Sequence, residues 1–437
     1  MGTPVLEPKP LVRPTQDQLD RILKRHAMFR NARVGGARAV LANMDLSGLD
    51  LEDRDLAHAD LTLTNLAGAR LARTTLDCAN LFAANLRRAN LEGASLVKAD
   101  LRGACARGAV LTGANLFDAD LRDGLLAERD AGGELHSHQA SVQPMDLEDT
   151  GFRSADPARA RLSGSVAVRT DFSAAVMRGV RLVRANLRNA NFEGANLEGA
   201  DLSQADMRGA NLKNAVLADC VMALTEMGGA DLEGALTDTP AGRPFAEIAA
   251  EFEDMIRLHA EFVGSAGREG RALDLSGIDM RGAPGLSRTL LTMLKAPGAC
   301  LYGLDLSRAQ MQAANLAGAD LRACNLEGAD LRGANLRGAR LDNAILRDAN
   351  LAPLVIGSDR TVPASLDGAS LRHADLTNTR LRGASLRGAD LGFATAIGVD
   401  LRDADLTAAT LDGAWIAPDA LPTAILDAAP AAGLLGR

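Results

Sequence analysis

The 437-residue sequence predicts an all-β solenoid, a chain wound into stacked coils and closed at its ends by short helices. Three observations lead there. A leucine recurs every five residues over most of the chain, as in "ADLRGANLRGARL" (329–341). Aromatic residues are 3% of the total although hydrophobic residues make up 47%. Glycine is abundant, at 43 residues, while proline is held to 15.

A period of five is neither the two-residue alternation of a strand nor the roughly 3.6 of a helix. Leu331, Leu336 and Leu341 are the centres of three successive units, with Ala329, Ala334 and Ala339 two residues before them. Residues two apart in extended chain point to the same side. Leucine and alanine therefore face inward together, while Asp330, Arg332, Asn335, Arg337 and Arg340 face water. The glycine that follows permits the backbone angles of a corner. Each pentapeptide is then a short flat side and a turn, and coils of such sides stack at the ~4.8 Å spacing of neighbouring strands. Alanine beside leucine closes a narrow interior without large rings, which accounts for the few aromatics. The glycine without matching proline argues against a collagen-like or disordered tract.

The beat runs from Leu46 to Leu121, from Leu182 to Leu232 with its phase moved by one residue, from Leu301 to Leu351, and from Leu366 to Leu411. The unit A-[D/N]-L-x-G resembles that of the pentapeptide repeat proteins, over residues 45–121, 171–235 and 301–414. The resemblance implies a right-handed quadrilateral β-helix with twenty residues in each coil. Phe152, Phe172 and Phe192, spaced twenty apart at central positions, would then stack on one face.

Where the beat fails, other structure is expected. The stretch 124–145 lacks it, and the 21 residues from Leu126 to Leu147 are read as one bulged or looped-out coil, with weak coils at Pro157 and Ala167. Near 240–264 the period becomes helical: Phe245, Ile248, Phe252, Met255, Ile256, His259 and Phe262 line one face. Pro244 suits a first turn and Gly264 a C-terminal end. Thr15 and Gln18 form a capping-box pattern ahead of the stripe Leu19, Ile22, Leu23, His26 and Phe29. Residues 25–39 align with 258–272, and both lead into a D-L-S-G-[L/I]-D motif, at 45–50 and 274–279. The chain thus reads as two tandem modules, each a cap followed by a solenoid whose open end needs covering.

The expected division is an N-terminal segment and capping helix at 1–44, and a first solenoid at 45–240, irregular at 124–170. An amphipathic helical linker or cap follows at 241–272. The second solenoid spans 273–416, irregular at 281–300 and 352–364, with a tail at 417–437. A further helix near Ser287–Lys295 would replace part of a coil.

The net charge of −8, from 56 acidic and 48 basic residues, is spread over both halves. It disfavours direct nucleic-acid binding and bulk attraction to anionic membrane. Five scattered cysteines with no C-x-x-C fit a reducing cytoplasm and give no metal or disulfide framework. No stretch reaches the ~18 apolar residues of a membrane span. His26 and His259 are read as packed at the junction of helix and solenoid. The pair His136 and His138 is read as loop histidines with no carboxylate or cysteine cluster to complete a metal site. No nucleophile lies in a catalytic context, so neither an enzyme nor a cofactor is expected.

The densest charge is Asp45, Asp50, Glu52, Asp53, Asp55 and Asp60, a candidate interaction collar in which Arg54 also lies. Asp60, Asn80, Asp100 and Asp120 would form one outward column, with Arg102 and Arg122 beside it. The leading functional reading is a non-catalytic protein-interaction scaffold, because a sealed leucine and alanine core leaves no small-molecule pocket. The resemblance implies a second reading, since some pentapeptide repeat proteins mimic B-form DNA, bind DNA gyrase and protect it from quinolones. A third is a structural accessory of a bacterial assembly, and homodimerisation is open in each.

Overall fold

The computed structural model describes residues 11–129, 135–143, 145–357, 360–417, 420 and 423–426. The chain divides into two units, Met1–Asp238 and Thr239–Arg437.

In the first unit the inward assignment of the pentapeptide produces a four-sided coil. Residues before each central leucine pair in parallel with those twenty further on, as Asp45 with Asn65, Asp50 with Arg70, Asp55 with Thr75 and Asp60 with Asn80. Leu46 N–H donates to the Asn65 carbonyl at 2.7 Å, and Gly48 N–H to Ala67 at 3.0 Å. Each corner is closed by a bond such as Leu49 N–H to the Leu46 carbonyl, 3.1 Å. The third residue of the corner has positive φ, as in a type II turn. Glycine fills many corners, but Asp53, His58, Leu63 and Arg73 hold the same angles at φ 56–63°. Interlocked coils thus impose a conformation that L-residues rarely choose.

The centres and the alanines two before them form one continuous buried core. Phe152, Phe172 and Phe192 stack with ring centroids 5.0 Å apart at both steps. Threonine replaces alanine without leaving its hydroxyl unpaired: Thr64 donates to the Leu41 carbonyl at 2.9 Å and Thr74 to Leu51 at 2.7 Å. Asparagine and aspartate precede the centre for a local reason. Their Oδ1 accepts the N–H two residues on, as Asp45 from Ser47 at 3.1 Å, which fixes the start of the corner.

Of the two forms expected for the interruption at 124–145, bulged or looped out, the chain takes the second. Gly124–Arg129 pairs antiparallel with Leu135–Gln143, a hairpin that leaves the coil. The ladder resumes across it, with Cys105 paired to Asp146 and Asp120 to Arg161, 41 residues apart instead of twenty. Beyond it the coils at Pro157 and Ala167 are regular, with both positions buried.

The second unit repeats the plan, with Leu331, Leu336, Leu341, Ala334 and Ala339 all fully or almost fully buried. Ser287–Lys295 is not a helix: Leu286, Leu291 and Leu294 are ordinary core residues. The irregularity at 281–300 is one extra residue, for Asp279 pairs with Cys300 and Leu290 with Gln310. The interruption at 352–364 is a second hairpin, Leu354–Ile356 against Arg360–Val362. It too is bypassed, Asn335 pairing with Ser365.

A helix opens each unit. The first, α1, is Gln16–Arg30, with the Thr15–Gln18 capping box formed in both directions. The second, α2, is Phe252–Gly264, preceded by a single 3-10 turn at Phe245–Glu247 rather than continuous helix. The caps correct the alignment of the two modules. His26 contacts Ala39, two before Leu41, and His259 contacts Leu273, two before Leu275. Leu275 therefore matches Leu41, and the two D-L-S-G motifs stand one side out of step.

Candidate interaction surfaces

The collar predicted at the first coil is assembled, but its charge is met by arginines. Arg13 reaches Asp45 at 2.9 Å, and Arg30 of α1 reaches Asp55 at 3.1 Å. From the next coil, Arg70 reaches Glu52 at 2.9 Å and Asp50 at 3.8 Å, and Arg73 reaches Asp53 at 2.7 Å. Asp60 is held by the Thr62 hydroxyl at 2.6 Å. The Ser47 hydroxyl, with its N–H and Arg13, holds the Asp45 carboxyl below its usual range against the opposing effect of desolvation.

The column Asp60, Asn80, Asp100 and Asp120 is in register. It is interrupted within its own repeats: Arg102 binds Asp100 at 2.6 Å, and Arg122 binds Asp120 at 2.7 Å. Arg161 continues the column below Asp120 at 3.7 Å. The face is a ladder of both signs.

A second charged cluster escaped the reading of the sequence. On one face of the second unit Arg322 is only 5% exposed and binds Asp320 at 2.5 Å. Asp342, one coil on, accepts from the Ser370 hydroxyl, and burial pushes its carboxyl upward. Arg372, one coil further, binds Asp390 at 2.7 Å and lies 6.0 Å over the Phe393 ring. Opposite charges at twenty-residue spacing, Asp320 with Arg340 and Arg322 with Asp342, were the available signal.

The second hairpin carries apolar residues outward. Val355 is 64% exposed and Ile356 47%. The root of this hairpin is fixed against the coils: a β-carbon at Gly333 would come within 2.8 Å of the Leu354 β-carbon. His136 and His138 fall on a strand of the first hairpin, not in a loop, and their side chains lie outside the described residues.

A cleft of about 490 Å³ lies between α2 and the first coil of the second unit. Ile248, Met255 and Leu258 form one wall, and Arg271, Leu273 and Asp274 the other. Among the described residues no group of three or more histidines, cysteines or carboxylates is placed to hold a metal, and no helix is long and apolar enough to cross a membrane. Burial pushes the Cys220 and Cys300 thiols up, to about 11 and about 12, away from nucleophilic use.

Coils of twenty residues, sides of five and a packed aliphatic core define the class: a repeat solenoid. The model for pentapeptide repeats matches overlapping segments spanning 45–123, 158–234, 298–352 and 364–416, more than half the chain. The chain belongs to the pentapeptide repeat family.

No curated protein matches the sequence. Among solved structures, the chain is similar to trypsin-treated QnrB1, a plasmid-mediated fluoroquinolone resistance protein, at 19% identity and TM-score 0.35, covering 50% of this chain and 95% of that one. Rfr23 from the cyanobacterium Cyanothece 51142 is 23% identical at TM-score 0.20, covering 31% and 91%. HetL, a pentapeptide repeat protein involved in heterocyst differentiation regulation from Nostoc sp. strain PCC 7120, is 21% identical at TM-score 0.12, covering 92% and 96%.

Proposed function

We propose that this chain is a non-catalytic, cytoplasmic protein-interaction scaffold, built on two right-handed β-helices, whose recognition elements are the two hairpins. The observation that carries the reading is the bypass. Each hairpin interrupts the sequence but not the ladder, as the pairings of Cys105 with Asp146 and Asn335 with Ser365 require. Stability does not call for either insertion, so both are free to serve recognition. The exposed Val355 and Ile356 suit a protein surface with an apolar depression.

The surrounding faces support this reading over DNA mimicry. A phosphate mimic needs uncompensated negative charge along several coils, whereas Asp100 and Asp120 are each engaged by arginine in their own repeat. The test is excision of 124–144 and 353–362, which would return both solenoids to twenty-residue spacing. The excised chain is expected to fold and to lose the partner that the full chain retains from its native cytosol. A chain that keeps its partners after excision would remove the hairpins from the account.

A further inference from the structure

We propose that each cap helix is held on its solenoid by a neutral-imidazole latch, and that acidification opens both latches. The two units build the same contact independently. His26 of α1 and His259 of α2 are both completely buried. Nδ1 of His26 accepts the backbone N–H of Ala39 at 3.0 Å, and Nδ1 of His259 accepts that of Leu273 at 3.0 Å. Each accepted N–H belongs to the first inward residue of its solenoid, where the helix-to-coil connection begins.

An accepting Nδ1 carries no proton, so the imidazole is the neutral Nε2–H form. Nε2 of both rings is buried too, beside the backbone of Ala57 for His26 and of Thr292 for His259. A second proton has one place to go, Nδ1, where it would point at an N–H that cannot accept it. The latch is thus lost with the proton, and the charge would be buried as well.

The surroundings differ in detail. Desolvation pulls His26 below its ordinary value, with Arg30 of α1 and Arg38 of the connection adding to it. Asp55 of the first coil and the Ala57 backbone oppose them. For His259 desolvation dominates, opposed by the Thr292 backbone, with no charged side chain acting on it among the described residues. Each ring lies against one phenylalanine, Phe29 at 6.0 Å and Phe262 at 6.3 Å.

The sign follows by linkage. A histidine depressed in the latched state binds its proton more readily when unlatched, so latching is complete above the free value of about 6.5. It weakens as pH falls through that value toward the latched one. With one proton taken up per opening, the opening constant rises about tenfold per pH unit in that window. Release would uncover the apolar side of each helix, Leu19 and Leu23 in α1 and Phe252 in α2, together with the first coil beneath.

Hydrogen exchange on the full chain between pH 8 and pH 4, corrected for intrinsic rates, tests the latch. In the wild-type chain the amides of 16–30 and 252–264 are expected to lose protection steeply below pH 6.5, while coils 61–101 and 301–341 keep theirs. Asparagine offers an Oδ1 near the Nδ1 position but does not titrate. His26→Asn is expected to abolish the acid response of α1 alone, and His259→Asn that of α2 alone. Helices that stay protected throughout, or that respond equally in the asparagine variants, overturn the proposal. Should a variant fail to dock its helix at neutral pH, imidazole ¹⁵N shifts of the wild-type chain decide. Two rings titrating below 6.5 in step with loss of helix protection support the latch; rings that titrate while both helices stay protected refute it.

Discussion

Arg102 donates from Nε and Nη2 to the two carboxylate oxygens of Asp100, at 2.9 and 2.6 Å. The pair spans a single side of one coil, two residues apart in sequence. Its arginine also lies 5.6 Å over the Phe82 ring of the coil before. This arrangement decides the character of the face. Both groups are substantially exposed, so the pair contributes little to stability. Arg102→Ala is expected to move the unfolding free energy by less than about 1 kcal/mol. Thermal unfolding at low and high salt measures it, and a large loss would show that the column is structural.

Asp279 and Arg281 have the same spacing but a different environment. Asp279 is 3% exposed and accepts from Arg281 Nη2 at 2.6 Å and from Ala241 N–H at 2.8 Å. Burial pushes its carboxyl upward, but these donors outweigh burial and hold it below the usual range. Its contribution is present above the unfolded value of about 3.9 and is lost as pH falls through the folded one. Removing the arginine leaves a buried charge unpaired. Arg281→Met is expected to cost about 3–5 kcal/mol at neutral pH and less near pH 3. Urea titration at the two pH values reads the difference.

Phe172 stacks between Phe152 and Phe192 at 5.0 Å on both sides. Phe172→Ala would open a cavity in a core where no loop can collapse into the space. A loss of about 3–5 kcal/mol is expected, measured by denaturant unfolding. A loss near 1 kcal/mol would mean that the neighbouring coils shift to close it.

Leu331 and Arg332 are adjacent and face opposite ways, the leucine fully buried and the arginine paired with Asp330 at 2.6 Å. Leu331→Lys forces a charge into the sealed interior and is expected to prevent cooperative folding. Arg332→Glu is expected to cost about 1 kcal/mol. Circular dichroism with limited proteolysis distinguishes the two, and a silent Leu331→Lys would contradict the inward assignment.

The coil itself was legible because one residue, the central leucine, reports its side in every repeat. Phe152, Phe172 and Phe192 even reported the coil length. The interruptions were legible as places where the beat fails, but their hairpin form was not. Twenty-one residues from Leu126 to Leu147 are nearly one coil, so a hairpin of that length imitates a weak coil in sequence. The pairing of Cys105 with Asp146 is what tells them apart. The D-L-S-G motifs misled for a related reason: a repeat of five resembles itself at every multiple of five. Among candidate site residues, the acidic collar was visible as composition. Its neutralisation by Arg70 and Arg73 depended on knowing which coil lies beneath. The corner rule was partly legible, since glycine marks the position, but Leu63 and Arg73 hold it without glycine because the coils around them leave no alternative.

The most direct measurement is quantitative capture from a lysate of the native cells, comparing the full chain with the chain lacking 124–144 and 353–362. Circular dichroism and thermal unfolding are run beside it to show that both are folded. The scaffold account predicts two folded proteins and a partner retained only by the full chain. Equal retention by both, or retention that instead tracks reversal of charge at Arg102 and Arg122, would contradict it.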